Sequence, residues 1–161
     1  MKYNQKPFKI INLLSILTLA FNLQGISQEA NTNTDFKLVK AAIEDYVMAL
    51  YETAPERIER SVDPTLRKIG YYDYNGESYD NQSMTFEQLY DLAGKWNKDG
   101  QNANAKSQKK IDIYEVNDRT ASAKLTAKWG IDFMHLSKVD GHWKIMNIMW
   151  QSHSAEQTSD R

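Results

Sequence analysis

The spacing of apolar positions changes from a helical period in the first half of the chain to alternation in the second half. Within residues 38–50, apolar side chains recur three and four positions apart, which predicts an amphipathic helix. The sequence of residues 53–56, Thr-Ala-Pro-Glu, has the form of a capping box and predicts a short second helix that runs to about Val62. Thr85, with Gln88 three residues later, predicts another capped helix.

Turn signals and alternation predict a sheet after these helices. Asn75-Gly76 between aromatic flanks predicts a hairpin over residues 71–79, and residues 64–69 are expected to form a short turn or a bend into a strand. From Lys106 onward the period is close to two, which predicts an antiparallel meander of four strands. Helices followed by strands with short links favour an α+β domain in which helices cover one face of a strongly bent antiparallel sheet.

The last predicted hairpin fixes which side chains share a face of that sheet. If Asp140-Gly141 is a two-residue turn, unbroken alternation places Met134 opposite Asn147 and Asp132 opposite Met149. One face then carries Asp132, Met134, Leu136, Trp143, Ile145, Asn147 and Met149. The other face carries Ile131, Phe133, His135, Met146, Ile148 and Trp150.

Both of these faces are largely apolar, so each requires a cover. The helices can cover one face, and a second copy of the chain is the simplest cover for the other. The sequence therefore predicts a homodimer whose interface contains Phe133, His135, Met146, Ile148 and Trp150. The alternative is that a loop or the C-terminal tail folds over this face.

The N-terminal segment has the layout of a secretory signal peptide. Three lysines precede a mostly apolar run over residues 10–21, and Gly25-Ile26-Ser27 provides small residues before a cleavage point. We expect residues 1–27 to be a signal peptide, residues 28–34 a flexible linker and residues 154–161 a disordered tail. This predicts a secreted or periplasmic protein with no membrane attachment after cleavage. The alternatives are an uncleaved anchor and an amphipathic arm.

Composition excludes several classes of function. The chain has no Cys, which excludes disulfide scaffolds, thiolate enzymes and cysteine-ligated metal sites. Its 20 Lys and Arg balance 21 Asp and Glu, and three of the lysines lie in the predicted signal peptide, so nucleic-acid binding is not expected. His135, His142 and His153 do not fall at metal-ligand spacing, so neither a metal nor another cofactor is expected.

Residues 132–150 resemble the C-terminal signature of the "putative lumazine-binding" proteins, a branch of the nuclear transport factor 2-like (SnoaL-like) superfamily. Residues 41–46, 111–116 and 121–125 are similar to the same family, so the resemblance covers nearly all of the chain after the predicted signal peptide. It implies one domain over residues 35–153 with the cystatin-like cone of that superfamily. In that fold helices and a bent sheet enclose a pocket, and dimers commonly form across the sheet. Members of the superfamily include isomerases, cyclases, dehydratases and many proteins with no known activity.

Asp132 is the candidate catalytic residue, because the predicted register turns it inward among apolar side chains. A desolvated carboxylate there would suit a general base that removes a proton next to a carbonyl. The alternative is a structural carboxylate that is bonded to the backbone or to a lysine. The residues expected to line a ligand pocket are Tyr46, Tyr72, Trp96, Met134, Trp143, Asn147 and Met149.

The sequence favours an exported protein that binds a small apolar or heterocyclic molecule without catalysing a reaction. Two other functions stay open at this point. The first is an isomerase-, cyclase- or dehydratase-like enzyme with Asp132 as its base. The second is a structural or adaptor dimer whose pocket is filled by its own side chains.

Overall fold

The computed structural model describes residues 33–73, 79–104 and 106–154. The chain divides into Met1–Thr34 and a compact unit from Asp35 to Arg161. The predicted signal peptide, most of the predicted linker and the C-terminal residues 155–161 lie outside the described residues.

Among the residues that the structure describes there are three helices, and they agree in position with the three that the sequence predicts. Helix α1 spans residues 33–51. Its inward side is buried at Val39, Ala42, Ile43, Tyr46, Val47, Ala49, Leu50 and Tyr51. Helix α2, Glu56–Ser61, begins after Pro55, which makes no side-chain cap. The predicted capping box at residues 53–56 is therefore wrong, since Thr53 instead adopts a left-handed conformation with φ 55° between the two helices.

The predicted capping box of the third helix is confirmed. Helix α3, Phe86–Ala93, is capped by Thr85, whose side chain accepts from the backbone N–H of Gln88 while the Gln88 side chain accepts from the Thr85 N–H. Leu89 and Ala93 point into the core. The local sequence therefore determined where this helix begins.

Strands β1, Val62–Asp73, and β2, Tyr79–Met84, form the predicted hairpin. Its turn lies outside the described residues. Residues 64–69, for which the sequence allowed a turn, belong to β1. Near its start, the Asp63 carboxylate accepts from both the backbone N–H and the hydroxyl of Thr65, which accompanies a bulge in the pairing with the last strand.

The predicted four-stranded meander is confirmed. Each of its strands pairs antiparallel with the next strand along the chain. The four strands are β3, Lys109–Val116, β4, Thr120–Ala127, β5, Gly130–Val139, and β6, His142–Ser152. Their sheet continues through β1 to β2, in the order β2-β1-β6-β5-β4-β3. Strand β1 is parallel to β6, so the sheet is mixed and not antiparallel throughout as predicted. The α+β class is confirmed.

The last hairpin turns at Asp140-Gly141 as predicted, with φ angles of 48° and 81°, but its register changes farther along. His135 lies opposite Asn147 and Leu136 opposite Ile145, so Met146 is an extra residue on β6. This β-bulge reverses the alternation beyond Met146. The predicted partners of Asp132 and Met134 are wrong, since Asp132 lies opposite Trp150 and Met134 opposite Ile148.

Candidate functional site

Asp132 lies on the inner face of β5 and is fully buried. Its Oδ2 accepts hydrogen bonds from the Tyr46 hydroxyl at 3.1 Å and from the Trp129 indole Nε1 at 3.0 Å. Its Oδ1 lies 3.5 Å from the Lys68 Nζ. Three side chains from three elements of the fold therefore converge on one carboxylate, which compensates the cost of burying its charge.

Lys68 reaches this carboxylate from β1 and is only 6% exposed. Its Nζ donates to the Tyr46 hydroxyl at 2.6 Å, and Tyr46 in turn donates to Asp132. Burial lowers the pKa of the Lys68 amine, against the attraction of Asp132, which raises it. Burial and the nearby carboxylate raise the pKa of Tyr46 well above its ordinary value, so this hydroxyl keeps its proton.

A pocket of about 260 Å³ lies against Lys68. The side chains around it are mostly aromatic or aliphatic, namely Leu50, Tyr72, Met84, Leu92, Trp96, Trp129 and Trp150, together with Gln82. Gln82 and Tyr72 are exposed and mark the mouth, whereas Lys68 is buried. The pocket therefore combines apolar walls with one amine at its base.

The walls are held by contacts between aromatic rings. Tyr51 stacks on Trp96 with centroids 6.0 Å apart, and both rings make T-shaped contacts with Trp129, with centroids 5.7 and 5.5 Å apart. The Tyr51 hydroxyl accepts from the Lys128 N–H and donates to the Gln108 carbonyl, which fixes the ring. Aromatic pairs of this geometry stabilise one another, and together they form one wall of the pocket.

Trp150 reaches the pocket for two structural reasons. The bulge at Met146 turns it toward the inner face. On the neighbouring strand it lies beside Gly70, where an added Cβ would come within 2.1 Å of the Trp150 carbonyl oxygen and 2.3 Å of its ring. Gly70 therefore lets the indole lie directly against β1, where its ring is 5.4 Å from the Lys68 Nζ.

Comparison with protein-family models identifies a family for this chain. The model of the family described as "Putative lumazine-binding" matches residues 34–151. The chain belongs to this family. No curated protein matches the sequence.

Solved structures of the nuclear transport factor 2-like fold resemble the family member described here. A protein of unknown function from Silicibacter pomeroyi DSS-3 is 18% identical, with 76% of this chain and 98% of that chain covered and a TM-score of 0.59. Another, from Methylobacillus flagellatus KT, is 24% identical, with 74% and 93% covered and a TM-score of 0.56. A ketosteroid isomerase-like protein from Erwinia carotovora atroseptica SCRI1043 is 12% identical, with 76% and 98% covered and a TM-score of 0.51. These likenesses confirm the predicted fold.

In this member of the "Putative lumazine-binding" family, the structure brings together some of the residues that were predicted to contact a ligand. Tyr72 and Trp96 line the pocket, and Tyr46 lies beneath it on the Lys68–Asp132 pair. Met134 and Trp143 are buried in the core and do not line this pocket. Whether any of them contacts a ligand stays a prediction.

The bulge exchanges four residues between the predicted faces. Asn147 and Met149 were predicted for the pocket face but lie on the opposite face. There the Asn147 side chain is hydrogen-bonded to His135, and Met149 is 51% exposed. Ile148 and Trp150, predicted for the dimer face, point inward. These four placements were wrong because one extra residue reverses every later side chain on a strand of period two.

Part of the outer face of the sheet is apolar, as the sequence indicated for the last hairpin. Phe133 is 48% exposed there, His135 lies two residues farther along the same strand, and Met146 is the extra residue of the bulge on β6. Ile69, Tyr71 and Met149 complete an exposed apolar surface around Phe133, which we call the outer patch. The dimer stays a prediction.

Sequence reasoning missed Lys68, Trp129 and Gln82. A signal for Lys68 was present, because Leu66, Lys68, Gly70 and Tyr72 alternate along one strand and must share a face. Because the sequence allowed either a turn or a strand over residues 64–69, this alternation was not used to place Lys68.

Among the residues that the structure describes, no group of three or more His, Cys, Asp or Glu could hold a metal ion. Within the same residues, no helix is both long enough and apolar enough to cross a membrane.

Proposed function

We propose that this protein binds a small, flat, mostly apolar or heterocyclic molecule in the tryptophan-lined pocket and does not transform it. The observation that carries the proposal is the pocket itself, with aromatic walls and a buried amine at its base. Ligand pockets typically combine apolar walls with a few convergent polar groups. The volume of about 260 Å³ suits a ligand of one or two rings.

The position of Asp132 argues against the enzyme alternative. A general base must come within hydrogen-bond reach of the proton that it removes. The Asp132 carboxylate is fully buried, is not among the residues around the pocket, and is occupied by Tyr46, Trp129 and Lys68. These contacts favour a structural role for Asp132 and a binding role for the pocket.

The polar groups of the pocket favour a ligand with carbonyl or ring-nitrogen acceptors. Lys68 offers N–H donors at the base, and the Gln82 amide lies at the mouth. A bicyclic heterocycle with oxygen acceptors at its edge, as lumazine is, combines a flat face for the indoles with acceptors for these donors. The family description is consistent with such a ligand.

Two adjacent tyrosines provide a matched test of this proposal. Tyr72 lines the pocket and is 38% exposed, whereas Tyr71 faces the outer patch and is 43% exposed. If lumazine stacks in the pocket, Tyr72→Leu should weaken its binding in isothermal titration calorimetry by about fivefold or more, roughly 1 kcal/mol. Tyr71→Leu should leave the affinity unchanged.

Absence of heat with lumazine, together with no compound retained on the protein from its own host, would contradict the proposal. Equal weakening by the two tyrosine variants would place the ligand elsewhere. Native mass spectrometry of the protein from its host reports a retained molecule and the subunit count in one measurement.

We also propose that the protein is exported after removal of residues 1–27 and that two copies pair through the outer patch. The charged start and short apolar run support export. The exposure of Ile69, Phe133 and Met149 supports pairing. N-terminal sequencing of the host protein tests the cleavage, and a monomer in native mass spectrometry would contradict the pairing.

A further inference from the structure

We propose that Lys68 forms a reversible imine with an aromatic aldehyde or ketone that enters the pocket. The inference rests on the proposed function, since it requires a ligand in the pocket. It assigns the buried amine a covalent role that binding alone does not require.

The position of the amine supports this role. Lys68 is the one lysine that is buried among the residues that the structure describes, and it lines the pocket. Its Nζ lies 5.4 Å from the centre of the Trp150 ring and 5.3 Å from that of Tyr46. A flat carbonyl compound that stacks among the pocket indoles can therefore bring its carbonyl carbon to this nitrogen.

The surroundings also favour the nucleophilic form of the amine. Imine formation requires an uncharged nitrogen with a free electron pair. Burial lowers the pKa of Lys68, so this form is more populated than in a lysine in water. The mostly apolar walls limit the contact of the product with water, which slows its hydrolysis.

Tyr46 provides the proton path that the reaction requires. The protonated Lys68 amine can pass a proton to the Tyr46 oxygen while Tyr46 passes its own to Asp132, because the two contacts are 2.6 and 3.1 Å long. The neutral Nζ then attacks the carbonyl carbon. The carbonyl π bond opens and its oxygen takes a proton from the attacking nitrogen, which gives a carbinolamine.

The second stage returns the proton that Asp132 stored. Asp132 returns it to the Tyr46 oxygen while Tyr46 passes its own proton to the carbinolamine hydroxyl beside Lys68. The hydroxyl leaves as water, and the nitrogen electron pair forms the C=N bond. Overall one ammonium and one carbonyl give one iminium and one water. The iminium keeps the positive charge, so Asp132 stays paired and no oxidant or reductant is needed.

Lys138 is a natural control for Lys68. Its Nζ also pairs with a buried aspartate, Asp35, at 2.7 Å and lies over a tryptophan ring, that of Trp143, at 5.9 Å. Lys138 does not line the tryptophan-lined pocket. A reagent that merely selects lysines beside aspartate and tryptophan would therefore modify both residues.

The experiment uses 2-naphthaldehyde with sodium cyanoborohydride at neutral pH, followed by intact mass measurement and peptide mapping. We expect one naphthylmethyl group at Lys68, added at least about fivefold faster than at Lys138, because the pocket raises the local concentration of the aldehyde. Lys68→Met should abolish the fast modification, whereas Lys138→Met should retain it. In the wild-type protein, an excess of 2-naphthalenemethanol should protect Lys68, a result that does not depend on any variant folding.

Calorimetry with 2-naphthalenemethanol, which has no carbonyl, separates the two proposals. If it binds and Lys68 is modified no faster than Lys138, the imine is wrong and the binding pocket stands. If it does not bind and Lys68 is not modified selectively, the imine is wrong, and the lumazine titration decides the proposed function separately.

Discussion

Two buried aspartates in this protein have nearly the same neighbours but different surroundings. Asp35, at the start of α1, accepts from the Lys138 Nζ and from the Trp143 indole at 2.7 and 3.0 Å. Asp132 has a lysine and an indole as well, with a tyrosine between the acid and the amine. We call these sets the Asp35 trio and the Asp132 cluster.

The two sets differ in where the lysine lies. The Lys138 side chain is 22% exposed and reaches its acid directly, so the hydrogen bond from Lys138 lowers the pKa of Asp35. The Lys68 side chain is 7% exposed and stands 3.5 Å from its acid, so burial is the larger influence and lowers the pKa of the amine. The same residue types therefore hold the start of α1 to the sheet in the Asp35 trio, whereas in the Asp132 cluster they form the base of the pocket.

The largest expected difference between the sets concerns loss of the acid. Asp132→Asn leaves the Lys68 charge buried without its counter-ion and should lower the free energy of unfolding by about 3 to 5 kcal/mol. Asp35→Asn should cost roughly 1 to 2 kcal/mol, because Lys138 can turn toward water. Urea unfolding followed by circular dichroism measures both, and equal losses would show that the two sets are equivalent.

Loss of the indole donor should cost more stability in the Asp35 trio than in the Asp132 cluster, which is the opposite of the order expected for loss of the acid. Trp143 is 4% exposed, so Trp143→Phe loses a hydrogen bond and leaves a cavity, at a cost of about 2 kcal/mol. Trp129 is half-buried, and Trp129→Phe should cost roughly 1 kcal/mol while it weakens ligand binding. Chemical denaturation and calorimetry test the pair. A Trp143→Phe variant with weaker ligand binding would mean that the ligand site extends beyond the Asp132 cluster.

Acidic conditions should remove the contribution that the Asp35 trio makes to the stability of the fold. A carboxyl with a lowered pKa in the folded state stabilises the fold above its unfolded pKa of about 3.9, and this contribution is lost as the pH falls through the folded value. The stability difference between wild type and Asp35→Asn should therefore shrink below about pH 4. A difference that stays constant from pH 6 to pH 3 would rule out the ion pair as its source.

Alkaline conditions should increase the stability that the Asp132 cluster gives to the fold, by less than the acid effect on the Asp35 trio. A lysine with a lowered pKa in the folded state loses its proton there before it does in the unfolded chain. The folded state therefore gains stability as the pH rises from the folded value toward about 10.4. Over this pH range, urea unfolding should show the free energy of unfolding of the wild type rising relative to that of Lys68→Met. Lys106→Met is the control for the loss of one positive charge. Parallel curves for the two variants would contradict the burial effect.

Local sequence was sufficient wherever a few neighbouring residues decide the structure. Thr85 and Gln88 specify the start of α3, because both halves of the cap lie within one turn. Asp140-Gly141 specifies the last turn, because both positions require positive φ. The same kind of reasoning failed for the cap predicted at Thr53, where the chain turns through a left-handed residue instead.

The candidate site depended on information that no short segment carries. The sequence by itself determined the α+β class, the family, the three helices, the last four strands and the inward placement of Asp132. Only the tertiary structure decided that β1 lies parallel to β6, which brings Lys68 to Asp132, and that Met146 is an extra residue, which turns Trp150 into the pocket. The physical reason is that strand pairing joins residues far apart in the chain, and one inserted residue reverses a period of two without leaving a mark in the local pattern.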